Sequence, residues 1–187
     1  MVFLRFCTAI IGLIILAPVL AYSGTPDYPG VPAARTADML DSNKGAAVPN
    51  PRFTDNSNGT VTDNLTELIW LQNANVAGAR IWADALTDVE SLNREGTMNG
   101  TFAGDKSNGG SHQKDWRLPN RNELSSLTDS SNNNPALPSG YSSFFSGVQS
   151  DSYWSSDTLK GGIAYAWVVN LSDYGIMDTA NKTDTCY

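Results

Sequence analysis

The sequence predicts an α+β domain of short antiparallel strands and two helices, and three observations carry that expectation. Sixteen glycines and nine prolines lie among many Asn, Ser, Thr and Asp residues, a turn-rich composition unlike that of a helical bundle. Short runs of large apolar residues flank Asn-Gly and Gly-Gly punctuation, as hairpins require. One stretch, residues 81–93, repeats its apolar residues at helical spacing.

The hairpin comes first. Phe53-Thr54-Asp55 and Thr60-Val61-Thr62-Asp63 bracket Asn56-Ser57-Asn58-Gly59, where Asn and Gly accept positive φ. Read instead as a calcium loop with Gly59 sixth, this stretch would have Thr54 first and Leu65 twelfth. Both positions need a carboxylate, so the register favours a plain turn. Leu68-Ile69-Trp70-Leu71 follows as a buried strand. Ile81, Trp82, Ala85, Leu86, Val89 and Leu92 then form one face of an amphipathic helix. Residues 94–114 are polar and Gly-rich and read as a long surface loop.

In Trp116-Arg117-Leu118-Pro119-Asn120-Arg121-Asn122-Glu123-Leu124, Asn120 caps a short helix and Glu123 reaches back to the cap. Leu124 and Leu127 point inward. Arg117 is expected to be pinned by Glu123 or Asp115. Tyr153-Trp154-Ser155-Ser156 and Ala164–Asn170 alternate large and small side chains as strands do, with turns at Gly161-Gly162 and Asp173-Tyr174-Gly175.

The chain ends of this plan are expectations of another kind. Arg5 precedes 14 uncharged residues, Cys7 to Leu20, and then Ala21, the pattern of a secretory signal over 1–21 and shorter than a membrane span. An uncleaved N-terminal anchor is the other reading. Residues 22–50 read as a Pro/Gly-rich linker or arm and 51–187 as the domain. Cleavage removes Arg5 and no acid, so 11 cations face 19 anions and the net charge goes from −7 to −8. Such a chain lacks the basic surface that holds nucleic acid. Of the two cysteines, Cys186 alone would remain, as a free thiol or half of a bridge to another chain.

Six motifs in order, Pro49–Asn56, Gly59–Thr66, Ile69-Trp70-Leu71, Trp116–Asn120, Asn134-Pro135-Ala136-Leu137-Pro138 and Tyr153–Ser156, together resemble the DUF1566 family, named for the C-terminal domain of the Legionella collagen-like adhesin. The resemblance runs from about residue 30 to the end. It implies a C-type-lectin-like fold, with two helices flanking small twisted antiparallel sheets and long loops that present the ligand surface, on exported bacterial proteins. Trp116-Arg117-Leu118-Pro119 with Glu123 is also similar to a segment of formylglycine-generating enzymes, whose paired late cysteines have no counterpart here. Three departures from the DUF1566 pattern stand out. Val76 and Val89 replace cysteines, so apolar contact is expected in place of a bridge. The chain stops before a last Tyr-Val-x-x-Val-Arg strand, as if truncated. The acidic balance offers no cluster for the glycosaminoglycans that the name-giving adhesin binds.

No catalytic constellation emerges from the sequence. His112 is the single histidine and is expected to be a solvated loop residue, and no metal spacing, nucleophile elbow or phosphate loop occurs. The expectation is therefore a non-enzymatic, adhesin-like or lectin-like module, secreted or extracytoplasmic, that contacts a glycan or protein and needs no metal or cofactor. The alternatives are a degenerate formylglycine-generating relative and a purely structural surface protein. Most of the five tryptophans are expected in the core. Tyr153, Tyr165, Asn170, Asp173 and Tyr174 are the expected exposed ligand contacts.

Overall fold

The computed structural model describes residues 4–6 and 48–187. The linker expected over 22–50, except for its last three residues, and most of the expected signal lie outside the described residues. The architecture is mixed α and β, with three small antiparallel sheets and few helices.

The first sheet has the order β1-β4-β3-β2, from β1 (Leu4–Phe6), β2 (Phe53–Asp55), β3 (Thr60–Asp63) and β4 (Leu68–Leu71). Its turn forms because Ser57 and Gly59 take positive φ and the Asn58 side chain accepts from the Thr60 N–H and hydroxyl. Asp63 is fully buried. It takes Arg52 at 3.2–3.3 Å, and the same guanidinium donates to the Ser126 carbonyl, tying the sheet to the second helix.

Helix α1 (Trp82–Glu95) buries Ala85, Val89 and Leu92 and stops at Gly96, whose φ of 72° and N–H to Leu92 O at 2.9 Å make a left-handed C-cap. The loop expected next contains a small hairpin, β5 (Thr97–Met98) and β6 (Thr101–Phe102). Asn99 and Gly100 both have positive φ there, a turn built for hairpin twist, and Asp88 accepts the Asn99 N–H at 2.9 Å. The rest of the loop is fastened from inside. Asp105 is completely buried and accepts from Ser107 N, Gln113 N and Trp116 Nε1, each at 2.8 Å.

Helix α2 (Arg121–Ser126) carries the expected capping box. Asn120 Oδ1 accepts from Asn122 and Glu123, Glu123 accepts from Asn120 N at 2.8 Å, and Arg117 donates to both Glu123 oxygens at 2.9 and 2.7 Å. Glu123→Ala removes the box and the bidentate pair together. It is expected to lower unfolding free energy by about 2 kcal/mol, read as a lower urea midpoint at unchanged slope.

The third sheet is β7 (Ser152–Thr158), β8 (Tyr165–Asn170) and β9 (Ile176–Asn181), in that order. Its faces feed two cores. Trp154, Ala166 and Val168 join Leu71, Val76, Val89, Leu92 and Trp116; Tyr153, Val169 and Leu171 join Phe53, Val61, Trp70, Leu124 and Leu127. Val76 and Val89 thus lie in one apolar cluster. Beside the start of α2 the second face of β8 is less covered, and Trp167 there is half-buried where Val169 is buried.

Candidate functional site

The uncovered part of β8 forms the floor of an open groove of about 410 Å³, lined by Asn120, Arg121, Asn122, Asp157, Lys160 and Trp167 among others. Trp167 stands on the same strand face as Val169, two residues on. Val169 is fully buried in the cluster that holds Leu124 and Leu127, while Trp167 lies beside the first residue of α2 and is half-buried. Arg121, the first residue of α2, lays its guanidinium over the Trp167 ring at 4.4 Å, a cation–π stack that fixes both side chains. Asp157, near the end of β7, accepts the Arg121 N–H at 3.0 Å and so locks the wall to the helix start. Lys160 is exposed at the rim. The groove therefore offers one aromatic surface, two side-chain amides, two cations and a carboxylate, a set able to hold a polar ligand with flat apolar faces.

The expected contact residues are not brought together. Tyr153 is 0% exposed. Its hydroxyl accepts the Gln149 N–H at 2.7 Å and burial pushes its pKa up to about 12, so it is a core residue and is removed from the contact set. Tyr165 is 42% exposed and shares the strand face of Trp167, beside the groove. Asn170, Asp173 and Tyr174 sit at the other end of β8, about 17 Å away along the strand. There Asn170 Oδ1 accepts from Ser172 N and Oγ at 2.9 and 2.7 Å, while Asp173 and Tyr174 are exposed in the turn. The residues missed are Trp167 and Arg121. The repeat Tyr165-Ala166-Trp167-Val168-Val169 shows that Tyr165 and Trp167 share a face, but the placing of Arg121 over the Trp167 ring is a long-range contact that the local pattern does not carry.

His112 also departs from expectation. It is half-buried and packs where a Cβ on Gly96 would come within 2.9 Å of its ring, and its Nε2 is buried without a hydrogen-bond partner. Among the described residues, no three His, Cys, Asp or Glu side chains gather as metal ligands, and no helix is long and apolar enough to cross a membrane.

Residues 59–187, more than two thirds of the chain, match the family described as the Lcl C-terminal domain. The chain belongs to that family. The match to the Lcl C-terminal domain spans β3 to the end and so contains every residue of the groove. No curated protein and no solved structure matches the chain.

Proposed function

We propose that the chain is an exported, non-catalytic, adhesin-like binding module with a C-type-lectin-like architecture, and that it contacts a glycan or protein outside the cytoplasm through the groove over Trp167. Membership in the Lcl C-terminal domain family supports an adhesin-type surface module. The observation that carries the choice of groove is Trp167 itself: a half-exposed indole stacked by Arg121 and bordered by Asn120, Asn122 and Asp157. A sugar ring can lay its C–H face on such a ring while its hydroxyls meet amides and carboxylate, and a protein partner can insert a polar side chain in the same way. Tyr165 extends that surface along β8. The four remaining expected contacts divide accordingly: Tyr165 stays with the groove, and Asn170, Asp173 and Tyr174 form a separate turn surface.

The test passes the full chain and Trp167→Ala over a glycan array. The expected result is specific retention by the wild type and a loss of at least about tenfold, roughly 1.4 kcal/mol, in the variant, with a melting temperature within a few degrees of wild type. Retention that is indifferent to Trp167 removes the groove from the reading. Retention lost on adding a chelator would show that a metal takes part.

A further inference from the structure

Charge along the third sheet is divided between its two ends. From Arg121 to Tyr187 the cations are Arg121, Lys160 and Lys182, and all three gather at the β7–β8 hairpin. Arg121 lies over Trp167 at 4.4 Å, Lys160 stands in the turn, and Lys182 donates its backbone N–H to Ala164 O at 2.8 Å. Arg52, Arg80, Arg94 and Arg117 each hold a carboxylate at 3.2 Å or closer. Among the described residues the Arg121 guanidinium has no such partner; Asp157 takes its backbone N–H instead. Asp184, also at this end, is turned to the Asn181 N–H at 3.2 Å.

The other end of β8 is acidic. Asp173 and Asp178 are exposed at the β8–β9 turn, and the exposed Asp151 is tied beside them through its carbonyl, which accepts Leu171 N at 2.9 Å. No Lys or Arg occurs between residues 161 and 181. Both ends also carry open apolar side chains. Among the described residues eight large apolar side chains are exposed, and five of them are here. Ile163, 84% exposed at the hairpin tip, stands near Tyr165 at the cationic end, while Tyr174, Ile176 and Met177 are 43–51% exposed at the acidic end. Single exposed apolar residues are ordinary, but two clusters at opposite ends of one sheet, each bordered by one sign of charge, mark an interaction surface.

We infer that the partner for this surface is a second copy of the chain, with the cationic hairpin end of one copy docked on the acidic β8–β9 turn of the next. Ile163 and Tyr165 meet Tyr174, Ile176 and Met177, while Arg121 and Lys160 face Asp173 and Asp178. Opposite charge sets the pairing and the apolar side chains supply the burial. The contact joins two different patches, so a pair still has one free hairpin end and one free turn, and association continues into chains or rings. Ile163 and the turn lie outside the Trp167 groove, so self-association and ligand retention by the groove succeed or fail separately.

The test is sedimentation velocity on the full chain over rising concentration. The weight-average mass is expected to climb above that of the monomer, and to fall back in about 0.5 M salt, where exposed charges are screened within a few ångströms. Ile163→Asp places an acid at the hairpin tip, and Asp173→Lys with Ile176→Lys places cations on the turn. Each variant alone is expected to lose self-association and sediment as a monomer. Mixed in equal amounts, the two are expected to form a one-to-one dimer that grows no further, because the first keeps a working turn and the second a working hairpin. A wild type that stays monomeric, variants that associate as the wild type does, or a mixture that stays monomeric while both variants melt within a few degrees of wild type overturns the inference.

Discussion

Asp105→Ala is expected to cost about 3–5 kcal/mol and to release the segment between β6 and Trp116. A buried carboxylate without a cation beside it persists only where hydrogen bonds replace its water. Here Ser107 N, Gln113 N and Trp116 Nε1 do so. Alanine strands three donors, two of them on the loop backbone, and each unsatisfied buried donor costs about 1–3 kcal/mol. Urea unfolding followed by tryptophan fluorescence measures the loss, and a variant within 1 kcal/mol of wild type would refute the fastening role.

The same network sets a pH dependence. Burial alone would raise the Asp105 pKa, but the hydrogen bonds from Ser107, Gln113 and Trp116 outweigh it and the net direction is down from 3.8. Glu123 behaves alike, with burial outweighed by Arg117 and Asn120, and lies below 4.5. Groups held low in the folded state give stability that is complete above their ordinary values and is lost as pH falls through the depressed ones. The urea midpoint is therefore expected to be flat from neutral pH to about 4.5 and to drop below it. Asp105→Ala should flatten that drop.

Gly59→Ala is expected to cost more than about 3 kcal/mol or to prevent folding. Gly59 sits at φ +82°, and a Cβ there would come 2.0 Å from the Gly104 carbonyl oxygen. This is a backbone atom that no rotamer change can move. The β2–β3 turn and the long loop cross at this point, where Lys106 N donates to Asn58 O at 2.8 Å. Gly100→Ala supplies the comparison. Its φ is +74° but nothing lies within 4 Å of its Cβ position, so only the left-handed penalty of about 1–2 kcal/mol applies. The gap between the two variants, read as melting temperatures, isolates the crossing. Equal losses would mean that the contact contributes nothing.

What could be read from the sequence was what local chemistry decides. The Asn58-Gly59 turn, the apolar stripe of α1 and the Asn120–Glu123 box each declare themselves within a few residues. The Asn99-Gly100 hairpin was equally local, but strands of two residues carry too little pattern to register. β9 escaped because Ile176 and Met177 are both exposed, which erases the period-two signal. The site failed for a different reason. Tyr153 and Trp154 are adjacent and both fully buried, since β7 separates two cores, so alternation cannot say which side faces water. How far Trp167 is covered depends on where α2, from another part of the chain, begins against β8.

Cys186 is the one cysteine among the described residues, and its thiol is unbridged and buried. It is held by paired backbone bonds with Arg80 at 2.8 and 3.0 Å, and burial pushes its pKa up to about 12. At neutral pH the thiol is therefore held protonated and away from the thiolate, the form that attacks disulfides and oxidants. Among the described residues reductant thus has no disulfide to cut, and the Cys186 sulfur is shielded from oxidant as long as its backbone pairing with Arg80 holds.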